Sequence, residues 1–408
     1  MNKENKLALS NVEGLIPELR FPEFKKEEDW KFKTIDELCD ILNNIRKPIS
    51  SGDRKKGSYP YYGASGIIDY VDDFLFNVRL LLVGEDGAKW GAYENTAFLV
   101  EGKYWVNNHA HVLKPNLINE KLLESYLVKL DLHPYITGAA PPKLTLGKLK
   151  EIPVPVPKNP KEQQKIASCL SSLDEVITAH SQKLELLKNH KKGLMQNLFP
   201  QEGETVPKFR FKEFEKDGEW VEKKLGEVGE FVGGGTPDTS IEGYWNGKIP
   251  WYTPTEVKNG NLNSSIRKIT EFGLKNSSAK LLPKGTILIT TRATIGDVAI
   301  ADVQCTTNQG FQSLIVNDSE VNFFWFYWIT QHKHELIKKA SGSTFKEIGK
   351  NEIINIPTIS PKNPIEQQKI ASCLLSLDAL ITAQTDKIEQ LKLHKKGLMQ
   401  GLFPKIIS

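Results

Sequence analysis

Two stretches of the chain carry the same stripe of apolar positions. In 159–200 (NPKEQQKIASCLSSLDEVITAHSQKLELLKNHKKGLMQNLFP) the stripe is Ile166, Leu170, Leu173, Ile177, His180, Leu184, Leu187, Lys191, Leu194 and Leu198, spaced alternately by four and three. In 363–404 (NPIEQQKIASCLLSLDALITAQTDKIEQLKLHKKGLMQGLFP) it is Ile370, Leu374, Leu377, Ile381, Gln384, Ile388, Leu391, Lys395, Leu398 and Leu402. A mean spacing of 3.5 is the seam of a coiled coil, so each stretch is predicted to be one long helix. The second stretch is the first displaced by 204 positions without a gap (363 − 159 = 204), and even the polar interruptions coincide: His180 with Gln384, Lys191 with Lys395. Neither helix can hide its stripe alone, so the two are expected to pack on each other. At ~1.5 Å per residue, forty residues make a rod of ~60 Å.

The repeat extends beyond the helices with a different offset. Pro17, Arg20, Phe21, Phe24 and Trp30 fall on Pro207, Arg210, Phe211, Phe214 and Trp220 (207 − 17 = 190). The order is opening motif, variable segment, helix, and then the same again. The second opening motif follows directly on the first helix. The first has no helix before it, so it is expected to dock beside the end of the last helix. That circular arrangement requires antiparallel helices.

The variable segments, 30–152 and 220–356, share a layout more than a sequence. Each opens with a short polar helix signal, TIDELCDIL or KLGEVGEFV. A loop rich in Gly, Tyr and basic residues follows, ISSGDRKKGSYPYYGASG or GGGTPDTSIEGYWNGKIPWYT. Apolar strand-like runs come next (80–83, LLLV; 286–289, TILI), then a polar loop, GEDGAKWG or TTRATIG. A strand opening on asparagine and a helix lead through a Gly-bearing loop to IPVPVP or INIPTI. The pattern predicts two mixed α/β globules on one helical rod.

Composition narrows the class. At 408 residues the chain exceeds one ordinary core. The start, MNKENKLALSNVEG, has no apolar signal segment, and the greasiest run, 323–329 (FFWFYWI), is a buried helix rather than a membrane span. A cytoplasmic address without a membrane partner is expected. Cys39, Cys169, Cys305 and Cys373 form no CxxC and read as packing residues. The net charge of +4, from 54 basic and 50 acidic residues, makes any nucleic-acid affinity local or shared with a more basic partner.

Catalytic patterns are weak. Asp86 followed by Glu101-x-Lys103 imitates a metal-dependent nuclease, but the second segment has no counterpart and such short matches are common. Gly233, Gly234 and Gly235 lack the GK[ST] of a phosphate-binding loop and read as a flexible turn. His109 and His111, two apart on a predicted strand, would share a face, but no third metal ligand accompanies them. No metal site is expected. What remains is recognition chemistry in corresponding loops. The first segment offers Arg54, Lys55, Lys56, Tyr61, Tyr62, Ser65, Lys89, Trp90, Asn107, Asn108, His109 and Lys143. The second offers Thr236, Tyr244, Trp251, Thr255, Arg292, Thr294, Asn308, Gln309, Ser343 and Lys346. Arg and Lys read guanine, Asn and Gln read adenine, and Lys, Ser and Thr hold phosphates.

Opening motifs RFPEF and RFKEF, with EQQKIA, HKKGLMQ and LFP closing each half, resemble the specificity subunit of type I restriction-modification systems. The resemblance spans nearly the whole chain. It implies an α/β (mixed α+β) architecture of two similar target-recognition globules joined by two long antiparallel coiled-coil helices, with a pseudo-twofold, circular type of repeat. The expected divisions are target-recognition domain 1 over 15–151, spacer helix 1 over 152–200, target-recognition domain 2 over 206–355 and spacer helix 2 over 356–404. The implied role is a non-catalytic subunit that reads a split, asymmetric site on double-stranded DNA. Its implied partners are two methyltransferase subunits and restriction/motor subunits, which carry S-adenosylmethionine, ATP and Mg²⁺, while this chain carries no cofactor. Three rivals remain: the reader of a smaller bipartite system without an ATP motor, a self-contained DNA nuclease, and a coiled-coil protein adaptor.

Overall fold

The computed structural model describes residues 15–257, 260–342 and 346–405. The chain divides into two compact units, and both long helices are shared between them. One unit takes the described residues up to Lys183 together with those from Gln384 onward, and the other takes Leu184–Ala383.

In the first unit, β1 (Lys31–Thr34) leads through α1 (Ile35–Leu38) into β2 (Cys39–Ile41), β3 (Lys56–Gly63), β4 (Gly66–Val71) and β5 (Phe76–Asn77). β6 (Leu80–Gly84), β7 (Ala97–Val100), β8 (Lys103–Val106), β9 (Ala110–Pro115), α2 (Glu120–Lys129), α3 (Leu146–Lys150) and β10 (Pro153–Val156) follow, before α4 (Pro160–Leu198). Two four-stranded sheets form, in the orders β2-β9-β6-β7 and β4-β3-β8-β5, and β1 pairs with β10. The run at β6 is apolar on both faces because both are covered. Leu80 and Leu82 pack with Phe76, Tyr104 and Val106 of the other sheet, whereas Leu81 and Val83 join Ile166 and Leu170 of α4. The stretch expected as a Tyr- and Lys-rich loop is instead the β3–β4 hairpin, whose alternating pattern buries Tyr61 and Gly63.

The second unit runs β11 (Val221–Lys224), β12 (Gly229–Gly233), β13 (Trp245–Tyr252), β14 (Gly260–Leu262), β15 (Arg267–Ile269), α5 (Glu271–Lys275), β16 (Ile287–Thr290), β17 (Val298–Ala301), β18 (Thr306–Thr307) and β19 (Phe311–Val316). Then come α6 (Asn322–Gln331), α7 (Lys333–Lys339), α8 (Lys350–Ile354), β20 (Pro357–Ser360) and α9 (Pro364–Leu402). Its sheets are β12-β19-β16-β17-β14 and β15-β13-β18, with β11 paired to β20. The FFWFYWI run is α6, buried from Phe324 to Ile329. Gly234 and Gly235 are not a free turn. A Cβ on Gly234 would meet the Asn308 carbonyl at 1.9 Å, and one on Gly235 would meet Ser278 at 2.4 Å, so close backbone approach requires glycine.

α4 and α9 start alike. Asn159 and Asn363 cap them through bonds to the Lys161 and Ile365 N–H groups, and proline occupies the first helical position. Within each unit the helix segments run antiparallel. In the first, Asp174 meets Lys395 and His180 meets Gln384; in the second, Lys191 meets Asp378. The polar seam positions are thus paired: Gln384 donates to His180 Nδ1 at 2.7 Å and to its carbonyl at 2.8 Å. The opening motifs dock as the circular order requires. Leu19 N–H donates to the Gly401 carbonyl and Trp30 packs edge-on against Phe403 in the first unit. Phe209 N–H donates to Asn197 and Trp220 meets Phe199 in the second. Among the described residues, no helix is long and apolar enough to cross a membrane.

Candidate nucleic-acid interface

Each unit presents a cluster of loops where its two sheets end, and the clusters share one backbone frame. In the first unit, the β8–β9 turn begins with Asn107, whose N–H donates to the Tyr62 carbonyl at 3.1 Å. The Asn107 side chain accepts from His109 N–H at 2.8 Å. Glu85 N–H donates to the His109 carbonyl, and Leu144 N–H to the Glu85 carbonyl, both at 2.8 Å. Gly84 admits this crowding, since a Cβ there would meet the Ala64 carbonyl at 2.8 Å.

The second unit repeats the frame bond for bond. Asn308 N–H donates to the Tyr252 carbonyl at 3.0 Å and the Asn308 side chain accepts from Gly310 N–H at 2.9 Å. Thr291 N–H reaches the Gly310 carbonyl at 2.8 Å, and Ile348 N–H the Thr291 carbonyl at 3.2 Å. An isolated bridge closes each cluster, Asp86 to Lys143 in one and Arg292 to Glu347 in the other. Ala293, beside Arg292, sits at φ 57°, a left-handed conformation unusual for a residue with a Cβ.

In the first unit, the structure gathers Asn107, Asn108, His109 and Lys143 in this cluster, and Ser65 and Lys89 follow Ala64 and Ala88, which crowd Gly84 at its edge. Lys143 Nζ lies 2.7 Å from Asp86, which also binds His109. Burial works against the charged form of Asp86, but the bonds from Lys143 and His109 outweigh it and hold the carboxyl below its ordinary range. In the second unit, Thr236, Thr255, Arg292, Thr294, Asn308, Gln309 and Lys346 gather likewise. Thr236 donates to Gln309 at 2.5 Å. A cleft of about 750 Å³ opens here beside Arg292, Ile295, Lys333, Ile337 and Lys346. Ser343 lies outside the described residues.

Several candidates are elsewhere or are scaffold. Trp90, Tyr61 and Trp251 are 7%, 1% and 3% exposed, so no base can reach their rings. Their polar atoms are spent inside: Trp90 on the Gly84 carbonyl, Trp251 on the Gly235 carbonyl, and Tyr61 on Ile49. Tyr62 is half-buried against Phe98 and Tyr104. Lys55 and Lys56 sit at the far end of β3 from Ser65, eight strand residues or roughly 25 Å away. Arg54 folds back over the Tyr61 ring onto Asp69. Tyr244 lies at the opposite end of β13 from Thr255 and packs on Phe272. Asn107 is buried and holds the turn.

His109 and His111 do not share a face. His109 is in the turn, whereas His111 is buried in β9 between Asn43 and the Leu144 carbonyl. Asp86 and Glu101 lie beyond opposite ends of β6 and its partner β7, since Val83 pairs with Ala97 and Leu80 with Val100. The nuclease trio is therefore not assembled. Among the described residues, no group of three or more His, Cys, Asp or Glu could hold a metal ion.

Sequence reasoning passed over Arg46, Glu347 and Arg267. Arg46 braces the turn through Glu85 and the Ala110 carbonyl. Arg267 stacks on Trp245, its guanidinium 3.6 Å from the ring centre. A lone arginine in a polar segment carries no sequence signal for either task.

A family model for the type I restriction modification DNA specificity domain matches residues 27–189 and again 217–393. The chain belongs to this family. It is a DNA sequence-recognition subunit, with two copies of the specificity domain, acting within a restriction-modification assembly. The type I restriction enzyme MjaIX specificity subunit of Methanocaldococcus jannaschii is 42% identical over 45% of this chain and 44% of that protein. A putative type I specificity subunit of Haemophilus influenzae is 29% identical over 88% of this chain and 90% of its own length. The fold resembles the S subunit of a type I restriction-modification system from M. genitalium, with a TM-score of 0.64 at 17% identity over 96% of this chain and all of that one.

Proposed function

We propose that each unit reads one half of a bipartite, asymmetric DNA site through its loop cluster. The chain then presents that site to two methyltransferase subunits for adenine methylation, and to restriction/motor subunits for cleavage. S-adenosylmethionine, ATP and Mg²⁺ act on those partners, in the cytoplasm, and this chain contributes no catalytic group. One observation carries the reading: the two clusters keep an identical hydrogen-bonded backbone frame while their outward side chains differ, as readers of different half-sites on a common scaffold require. Exposed Lys89 and Lys346 supply local positive charge for phosphates without a strongly basic chain. The test exchanges residues 30–152 for the corresponding segment of a relative and maps methylated adenines in cells that carry the native methyltransferase partner. One half of the methylated sequence should change and the other stay. A change in both halves, or none, refutes the division of labour.

A further inference from the structure

The bridge that closes each cluster carries opposite charges in exchanged order. Asp86 and Lys143 face each other in the first unit, and Arg292 and Glu347 in the second, with Arg292 Nε 2.8 Å from Glu347. The frame fixes the equivalence: Asp86 follows Glu85 as Arg292 follows Thr291, and Lys143 precedes Leu144 as Glu347 precedes Ile348. One scaffold position is therefore acidic in one unit and basic in the other, and its partner position is inverted to match.

These side chains are not needed to close the loop. Lys143 and Thr137 exchange both backbone hydrogen bonds, at 2.8 and 2.9 Å, and Glu347 and Ser341 do the same at 2.9 Å. The second ion pair is 48% and 44% exposed, a setting in which such pairs contribute little to stability. Lys143 is 41% exposed above an Asp86 that is 11% exposed. Each cation thus stands on the surface with a carboxylate fixing its direction, and beside it lie Asn107-Asn108-His109 or Asn308-Gln309.

We propose that this bridge is the specificity element of each unit: Arg292, oriented by Glu347, reads a guanine for the second unit, and Lys143, oriented by Asp86, reads one for the first from the other side of the bridge. The inference rests on the DNA-reading function above and names the reader within each half. Arginine and lysine meet guanine O6 and N7 in the major groove, whereas a glutamine at the same place suits adenine. Asp86 and Glu347 are positioning residues, which hold the cation aimed before DNA arrives and release it to the base.

The experiment maps methylated motifs, with the native methyltransferase partner, for the wild type and for Arg292→Gln, Lys143→Gln and the exchange Arg292→Glu with Glu347→Arg. Thermal melting of each purified chain checks the fold. Arg292→Gln should replace a required guanine by adenine, or relax it, in one half-site only. Lys143→Gln should do so in the other half-site only. Each should weaken binding to the original site by about tenfold or more while leaving the opposite half intact. The exchanged pair keeps the salt bridge yet should lose the original base, which a purely structural pair would not. Folded variants that methylate the wild-type motif at wild-type efficiency overturn the inference. A wild-type assembly with no sequence-selective methylation overturns instead the function on which it rests.

Discussion

Arg20 grips Glu162 through two parallel hydrogen bonds, Nε to Oε1 and Nη2 to Oε2, each 2.8 Å long. The side chains are 5% and 1% exposed, and the Trp30 indole adds a third donor to Oε1 at 3.2 Å. Arg210, Glu366 and Trp220 reproduce the arrangement at 2.8, 2.8 and 3.2 Å. Glu162 and Glu366 stand in the first turns of α4 and α9, where the helix dipole favours a carboxylate. The triad ties each opening motif to the start of a long helix, which explains why arginine and tryptophan recur there.

Glu162→Ala should therefore destabilise the chain by roughly 3–5 kcal/mol, because it leaves a buried guanidinium without its counter-charge. Glu366→Ala should do the same in the second unit. Removing both charges, as in Arg20→Met with Glu162→Leu, should recover most of the loss. Denaturant melts of the four proteins decide it; equal stability of the single and double variants would mean the pair is not the anchor.

Neighbours Lys89 and Trp90 should separate cleanly. Trp90→Ala empties part of the core and should cost about 3–5 kcal/mol of stability. Lys89 is exposed, and Lys89→Ala should leave melting unchanged. It should weaken DNA binding about equally for all sequences and reduce the salt slope by about one, as for a phosphate contact. Affinities measured across a salt series for cognate and scrambled DNA test this, and a sequence-dependent loss would make Lys89 a base reader instead.

Glu101→Gln should leave methylation and restriction by the full assembly intact. Glu101 is 74% exposed, is paired with Arg79 at 3.5 Å, and stands at the wrong end of β6 to share an ion with Asp86. DNA cutting abolished by this change with binding preserved would restore the nuclease reading.

How much was legible follows from these residues. The helices, their seam, their antiparallel pairing and the docked opening motifs could be read because each rests on a period or on an ungapped repeat. The loop frame could not. Its equivalences fall at drifting offsets: Tyr62 to Tyr252 is 190 (252 − 62), Asn107 to Asn308 is 201 (308 − 107) and Glu85 to Thr291 is 206 (291 − 85). Apart from the asparagine that opens each turn, Asn107 or Asn308, backbone groups make the frame, so side-chain identity leaves little trace of it. The aromatic residues misled for a related reason. Composition cannot distinguish a tyrosine offered to a base from one such as Tyr61, which lies on the inner face of a hairpin.

Two histidines should set the pH response of stability above the carboxylate range. His111 Nε2 lies 2.7 Å from the Leu144 carbonyl, which only an N–H can satisfy, so Nδ1 carries the lone pair toward the Asn43 amide at 2.9 Å. Asn43 uses its oxygen on Val112 N–H, which turns its NH₂ to the ring. A second proton on His111 would therefore face a donor. Burial pushes the His111 pKa down, against the pull of Glu85 and Asp86 and with the push of Arg46. Burial also lowers His332, which is stacked on Trp328 at 4.2 Å. Unfolded histidine titrates near ~6.5, so just below that pH the unfolded chain binds more protons than the native one, and stability falls as pH falls. Depressed carboxylates such as Asp174 lose their contribution only below about pH 4, so the interval from about 6.5 to about 5 isolates the histidines. Melting temperature should be flat above neutrality and decline through that interval. His111→Gln with His332→Gln should flatten the decline even if both lower the starting value. A decline of unchanged steepness would place the titrating groups elsewhere.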